Sequence, residues 1–88
     1  MKLTKIAIAT WPSATEKMLP NIIEERYIYI EDARKKGLTD GTPTNVTDQI
    51  TTRTWVDQES AENWANFITA LAAKFNIPVT VEIKDLNE

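Results

Sequence analysis

The clearest alternation of apolar and polar residues runs over residues 50–83 and predicts a strand, a helix and a second strand. β-Branched and aromatic residues alternate with polar ones over residues 50–56, which is typical of a half-buried strand. Apolar residues then recur at steps of three and four, and this spacing predicts one buried helical stripe: Ala61, Trp64, Ala65, Ile68, Leu71, Ala72 and Phe75. Asp57 is placed to cap this helix, Asn76 and Pro78 to end it, and residues 79–83 alternate again.

The orientation of the predicted sheet follows from Arg53, because a charged side chain is expected to face water. The opposite face of that strand, with Ile50 and Val56, is then expected to face the core. If the first strand, over residues 2–11, also has its β-branched residues on the core face, Ile6 and Ile8 are directed towards the helices. This orientation leaves an unusually apolar outer face on the sheet.

That outer face gives a candidate interaction surface. It would carry Ala7, Ala9 and Trp11 from the first strand and Trp55 from the later one. Phe67 joins them as the one large apolar side chain that the helical stripe does not claim. Aromatic residues are enriched at protein interfaces, although isolated apolar residues on a surface are also ordinary.

Residues 16–36 are predicted to form the other helix, with Ser13 or Thr15 as its cap and Gly37 at its end. Pro20 favours either a start near Leu19 or a short turn before it. The expected buried stripe is Leu19, Ile23, Tyr27, Ile30, Ala33 and Leu38. Residues 27–30 also have strand propensity, but charges at helical spacing favour a helix.

Residues 38–47 contain Gly41 and Pro43 and suit an edge strand, followed by a turn over residues 47–49. The order of elements is then β-α-β-β-α-β. This order predicts a single α+β domain over residues 1–88, a ferredoxin-like sandwich with two helices on one face of an antiparallel sheet. A three-stranded version that lacks residues 38–47 is the main alternative.

Composition narrows the possible chemistry. The 88 residues include no histidine and no cysteine, which excludes Ser-His-Asp and Cys-His catalysis and an ordinary zinc site. No cofactor or metal is expected. The net charge of −3 argues against nucleic-acid binding, and no run is long enough to span a membrane. The acidic residues of the first helix are typical of a solvated face, and the cations over residues 34–36 are typical of a helix end.

Residues 50–72 resemble small uncharacterised proteins of tailed bacteriophages. In these, a short Thr/Arg-rich strand ends in Trp-Asp or Trp-Ser, and an acidic, alanine-rich helix and a valine-rich strand follow. The resemblance is carried by Thr52, Arg53, Thr54, Trp55, Glu59, Ala61, Trp64, Phe67 and Ile68. It implies a phage-encoded α+β protein in the host cytoplasm or the virion, and it attaches no activity to these residues.

Two functions of different classes are compatible with these observations. The first is a non-enzymatic accessory protein that acts through a protein-protein surface, either as a homodimer or with another protein. The second is a small dimeric enzyme or ligand-binding protein with a pocket between sheet and helices. The second would need a cavity lined by groups such as Trp11, Tyr27, Tyr29 and Trp64.

Overall fold

The computed structural model describes residues 2–41, 43 and 47–86, and these form an α+β structure. Its helices are α1 (Ala14–Lys17), α2 (Pro20–Lys35) and α3 (Gln58–Ala73). Its strands are β1 (Lys5–Thr10), β2 (Ile50–Trp55) and β3 (Thr80–Asp85). Residues 42 and 44–46, which belong to the predicted edge strand, lie outside the described residues.

The three strands form one antiparallel sheet in the order β2-β1-β3. Lys5 of β1 lies opposite Trp55 of β2 and Asp85 of β3, and Thr10 lies opposite Ile50 and Thr80. Directly opposed residues share a face of the sheet. Ala7 and Ala9 are therefore on the same face as Arg53, Trp55, Val81 and Ile83.

The helices cover the face of Ala7 and Ala9, so the predicted orientation of the sheet is wrong. Ala7, Ala9, Trp11 and Trp55 are at most 1% exposed, whereas Ile6 and Ile8 lie on the opposite face and are only partly buried. The prediction assumed that Arg53 must face water. In the structure, Arg53 is on the helix side together with Trp55.

Small side chains allow α3 to lie close to the sheet. α3 contacts all three strands and α2, and Ala61, Ala72, Ala7 and Ala9 are all buried. An aromatic cluster fills the wider space beside them: Tyr29, Trp55, Trp64 and Phe67. Phe75, which was predicted to belong to the buried stripe, lies beyond the end of α3 and is 39% exposed.

The ends of the helices follow local signals in the sequence. Ser13 caps α1 by accepting from the amide of Glu16, and Asp57 caps α3 by accepting from the amide of Ser60 at 2.8 Å. Pro20 occupies the first turn of α2, so a turn interrupts the helix predicted over residues 16–36. Gly37 follows α2 with φ of 76°, a left-handed conformation that glycine adopts without steric cost.

The buried stripe of α2 is one position away from the predicted one in its first half, while Ile30 and Ala33 are buried as predicted. Ile22, Arg26, Ile30 and Ala33 are buried, while Ile23 and Tyr27 are 37% and 67% exposed. Ile22, Arg26 and Ile30 follow each other at steps of four, the spacing of one helical face. The arginine within this stripe is the reason that the hydrophobic pattern favoured Tyr27 instead.

The predicted edge strand is present only as a trace among the described residues. Thr39 forms an isolated antiparallel bridge with Trp55 at the free edge of β2. The amide of Val56 donates to the Leu38 carbonyl at 3.0 Å, and the Thr39 hydroxyl donates to the Thr54 carbonyl at 2.6 Å. This short contact fixes residues 38–41 beside α2 and β2.

Candidate functional site

A pocket of about 260 Å³ opens between α1, α2, the strand β2 and the segment after α2. Its walls include three cationic side chains, one from each of three elements: Lys17 of α1, Arg26 of α2 and Arg53 of β2. The rest of its lining is Met18, Ile23, Tyr27, Ile30, Glu31, Gly41, Pro43 and Thr51. Three converging cations are unexpected in a chain whose net charge is −3.

Arg26 is held by an aromatic ring and by a backbone carbonyl group. The arginine is 9% exposed, and its guanidinium carbon lies 5.2 Å from the centre of the Trp11 ring, within the range of a cation–π contact. One terminal nitrogen donates to the Lys17 carbonyl at 3.0 Å. Its Nε is buried and has no hydrogen-bond partner among the described residues.

The Trp11 ring that Arg26 covers is itself held by a hydrogen bond. Its indole Nε1 donates to the Thr51 hydroxyl at 2.9 Å, in the buried interior. Because Thr51 is on β2 and Trp11 follows β1, the bond fixes the ring that Arg26 covers. The position of Arg26 is therefore set by packing against the sheet.

Arg53 and Lys17 are held in the same way, by backbone carbonyl groups. A terminal nitrogen of Arg53 donates to the Gly41 carbonyl at 2.9 Å, and the Lys17 ammonium donates to the Thr47 carbonyl at 2.6 Å. The Nε of Arg53 is a second buried nitrogen without a partner in the described part of the chain. Carbonyl groups orient these cations but do not neutralise them.

The carboxylates near the pocket are engaged with other groups. Glu31 lines the pocket but accepts two bonds from the Arg34 guanidinium, at 3.2 and 3.0 Å, and these bonds lower the pKa of Glu31. Asp32 pairs with Lys36 on the exposed side of α2. Asp40 lies close enough to Arg53 to favour its charged form.

Burial acts on both arginines, and the charge of Arg53 acts on Arg26 as well. Burial, and then the nearby charge of Arg53, lower the pKa of Arg26. Burial also lowers the pKa of Arg53, against the opposing effect of Asp40. Arginine nonetheless stays protonated in proteins. Two guanidinium groups that repel each other in a partly closed pocket create a local positive potential that attracts anions.

The predicted interaction surface is not assembled on the outside of the folded chain. Ala7, Ala9, Trp11 and Trp55 are core residues. Phe67 is half-buried and stacks on Tyr29 with ring centres 4.3 Å apart, at a second groove between α2 and α3. Of these five, Trp11 alone is in contact with the cationic pocket, through Arg26.

The second predicted function named Trp11, Tyr27, Tyr29 and Trp64 as the lining of a cavity. Tyr27 lines the cationic pocket, and Trp11 lies behind Arg26. Tyr29 and Trp64 belong to the aromatic cluster instead. Of the four predicted lining groups, only Tyr27 is in the lining of this pocket.

The three cations themselves were missed. Arg26 carried a signal, since it is four residues from both Ile22 and Ile30, which are buried. Arg53 is two residues from both Thr51 and Trp55, so the three share one face of β2. This spacing would have indicated that Arg53 is on the helix side once Trp55 was recognised as a core residue. For Lys17, a short helix of four residues offers no periodicity to interpret.

Comparisons with known proteins add no family to this picture. The chain matches no family model, no curated protein and no solved structure. Within the described residues, no helix is both long and apolar enough to cross a bilayer. The site must therefore be interpreted from its own geometry.

Proposed function

We propose that this protein is a binding module that holds a small anionic ligand in the pocket formed by Lys17, Arg26 and Arg53. The observation that carries the proposal is a buried Arg26 beside a half-buried Arg53, each with a buried Nε that has no hydrogen-bond partner among the described residues. An ion buried without a counter-charge loses several kcal/mol of solvation. A bound anion supplies the missing counter-charge.

The proposal is tested by thermal unfolding at constant ionic strength, with chloride replaced stepwise by phosphate, sulfate or acetate. At least one of these anions should raise the melting temperature of the wild-type protein, because a ligand that binds only the folded state stabilises it. The doubly substituted variant Arg26→Met/Arg53→Met should show no such rise. Circular dichroism checks that the variant is folded.

Lys74→Met is the matched control. Lys74 is an exposed residue at the C-terminal end of α3 and does not line the pocket, and its replacement also removes positive charge. This variant should respond to anions as the wild type does. If no anion shifts the melting temperature more than chloride, or if the double variant responds equally, the pocket does not bind anions.

The sheet supports a more specific proposal about the fold. We propose that the chain is a ferredoxin-like sandwich in which one edge strand is reduced to the bridge between Thr39 and Trp55. The central position of β1, its antiparallel neighbours and the helices on one face are in accord with that arrangement. The bridge occupies the edge of β2 where the additional strand would lie.

A separate observation favours self-association as a second function. The sheet face opposite Ala7 and Ala9 has the partly buried Ile6 and Ile8 at its centre, and on β3 it has the exposed Glu82 and Lys84. In a two-fold symmetric pair, residue i meets residue j and j meets i. A second copy placed on this face with antiparallel strands would therefore bring each Glu82 to the other copy's Lys84.

Light scattering after size exclusion, over a range of concentrations, tests this second proposal. Ile8→Lys should give a monomer, while Ile28→Lys, at an exposed position of α2, should leave the association unchanged. A wild-type protein that is monomeric at every concentration would overturn it.

The role as a phage accessory protein stays a prediction of the sequence resemblance.

A further inference from the structure

We propose that the ligand of the pocket is a phosphate monoester whose organic part is apolar or aromatic. This inference rests on the proposed function and concerns the chemical class of the anion. It is carried by the number and directions of the cations and by the apolar residues that border them.

The number of cations favours a dianion. Three cations and one carboxylate line the pocket, and that carboxylate, Glu31, is bonded to Arg34. A single negative charge would leave most of the positive charge uncompensated. A phosphate monoester carries between one and a half and two negative charges at neutral pH, since its second pKa is about 6.

The directions of the cations favour a tetrahedral anion. Lys17, Arg26 and Arg53 line the pocket from three separate elements, α1, α2 and β2. A planar carboxylate presents its acceptor sites in one plane, whereas phosphate oxygens accept from several directions. Arginine forks and lysine point charges are the groups that proteins use for phosphate.

The neighbouring surface favours an apolar organic part. Met18, Ile23 and Tyr27 line the same pocket and are 54%, 37% and 67% exposed. They are three of the five large apolar residues that the described structure leaves exposed. The pocket's volume of about 260 Å³ is slightly below the range of about 300–1,000 Å³ for drug-sized ligands, so the organic part is small.

The test is calorimetric titration with phenyl phosphate, inorganic phosphate, benzenesulfonate and benzoate at one ionic strength and about pH 7.5. Phenyl phosphate should bind about tenfold more tightly, or more, than each of the others. Inorganic phosphate lacks the ring, benzenesulfonate lacks the second charge, and benzoate lacks both the second charge and the tetrahedral head group. Arg26→Met and Arg53→Met should each weaken its binding at least tenfold. Lys74→Met should leave it unchanged.

A pH series provides a second readout. Phenyl phosphate loses most of its second charge between about pH 7.5 and about pH 5, so its affinity should fall about tenfold. Benzenesulfonate keeps one charge throughout, and its affinity reports any change in the protein. The titratable and charged groups around the pocket are Lys17, Arg26, Tyr27, Glu31, Asp40 and Arg53.

The outcomes separate the two proposals. Equal or tighter binding of benzoate or benzenesulfonate would overturn the phosphate monoester and leave an anion-binding pocket. Equal binding of inorganic phosphate would overturn the apolar organic part alone. Binding of none of the four would overturn both proposals. A tyrosine-phosphorylated peptide, titrated beside phenyl phosphate, distinguishes a ligand within a protein from a free small molecule.

Discussion

Arg26 occupies a position in α2 where an apolar side chain would pack without loss of solvation. It lies between Ile22 and Ile30 on the buried stripe, and burial lowers its pKa. Two contacts offset the loss of solvation of Arg26. The contact with Trp11 contributes about 0.5–2 kcal/mol, and the hydrogen bond to the Lys17 carbonyl contributes about 1.5–3 kcal/mol. Loss of hydration for a buried ion costs several kcal/mol, which is about the same size as these two contributions together.

We therefore expect Arg26→Met to be as stable as the wild type, within about 1 kcal/mol, or more stable. The physical reason is that methionine fills the volume without a charge to desolvate. Urea unfolding followed by tryptophan fluorescence measures the difference. A loss above about 3 kcal/mol, typical of breaking a buried, compensated ion, would show that Arg26 is a structural residue.

Ile30→Ala is the comparison on the same stripe of α2. Ile30 is 4% exposed, and removal of a buried isoleucine side chain costs about 2–5 kcal/mol. The variant should thus be clearly destabilised while Arg26→Met is not. Similar losses at both positions would contradict the assignment of Arg26 to ligand binding.

Asp57 gives a prediction about pH. Its bonds from Ser60 lower its pKa in the folded state below the ordinary value of about 3.9. A depressed carboxyl pKa stabilises the fold above the unfolded-state value, and this contribution disappears as the pH falls through the folded-state value. Between about pH 5 and pH 2, the melting temperature should fall less for Asp57→Asn than for the wild type.

Asparagine is as good an N-cap as aspartate, so Asp57→Asn should keep the neutral-pH stability of α3. Asp57→Ala removes the cap and should lower the melting temperature at neutral pH as well. Equal acid sensitivity of Asp57→Asn and the wild type would contradict the assignment. Thermal scans at a series of pH values measure all three proteins.

At the scale of elements, α3 could be predicted well because its signals agree with one another. The Asp57 cap, the stripe from Ala61 to Ala72 and the turn at Asn76 all indicate the same helix. α2 and the sheet faces could not be predicted as well, since their buried sides contain Arg26 and Arg53. Hydrophobic periodicity treats a charge as a marker of solvent, and here the charges line a pocket.

The segment after α2 shows how few bonds hold a short element against a sheet edge. The Thr39 side chain is 0% exposed, and its hydroxyl donates to the Thr54 carbonyl. Thr39→Val keeps the shape and removes the donor, so it should destabilise the fold by about 1–3 kcal/mol. Urea unfolding measures this loss.

Thr80→Val is the matched control for Thr39→Val, because Thr80 is an exposed residue of β3. Exposed substitutions usually change stability by less than about 0.5 kcal/mol. Thr39→Val should also weaken anion binding, since the segment places the Gly41 carbonyl that orients Arg53. An unchanged affinity would show that Arg53 is positioned without this segment.

For the molecule as a whole, the net charge and the charge of the pocket have opposite signs. The net charge is −3, while three of its cations converge on one pocket. A negative protein repels polyanions at long range, and nucleic acids in particular. A small anion experiences mainly the local field of the pocket, which favours a small ligand over a polymer.

The last prediction concerns the coupling of this pocket to global stability. An anion held by Lys17, Arg26 and Arg53 connects α1, α2 and β2, so it binds the folded state alone. At a concentration one hundred times Kd, such a ligand stabilises the fold by about 2.7 kcal/mol. For a domain of this size, about 1 kcal/mol corresponds to about 4–8 °C, so phenyl phosphate should raise the melting temperature by about 10–20 °C. The Arg26→Met variant, whose affinity is expected to be at least tenfold lower, should gain at most about 1.4 kcal/mol at the same concentration, about half of the wild-type rise. An equal gain would show that the stabilisation arises elsewhere.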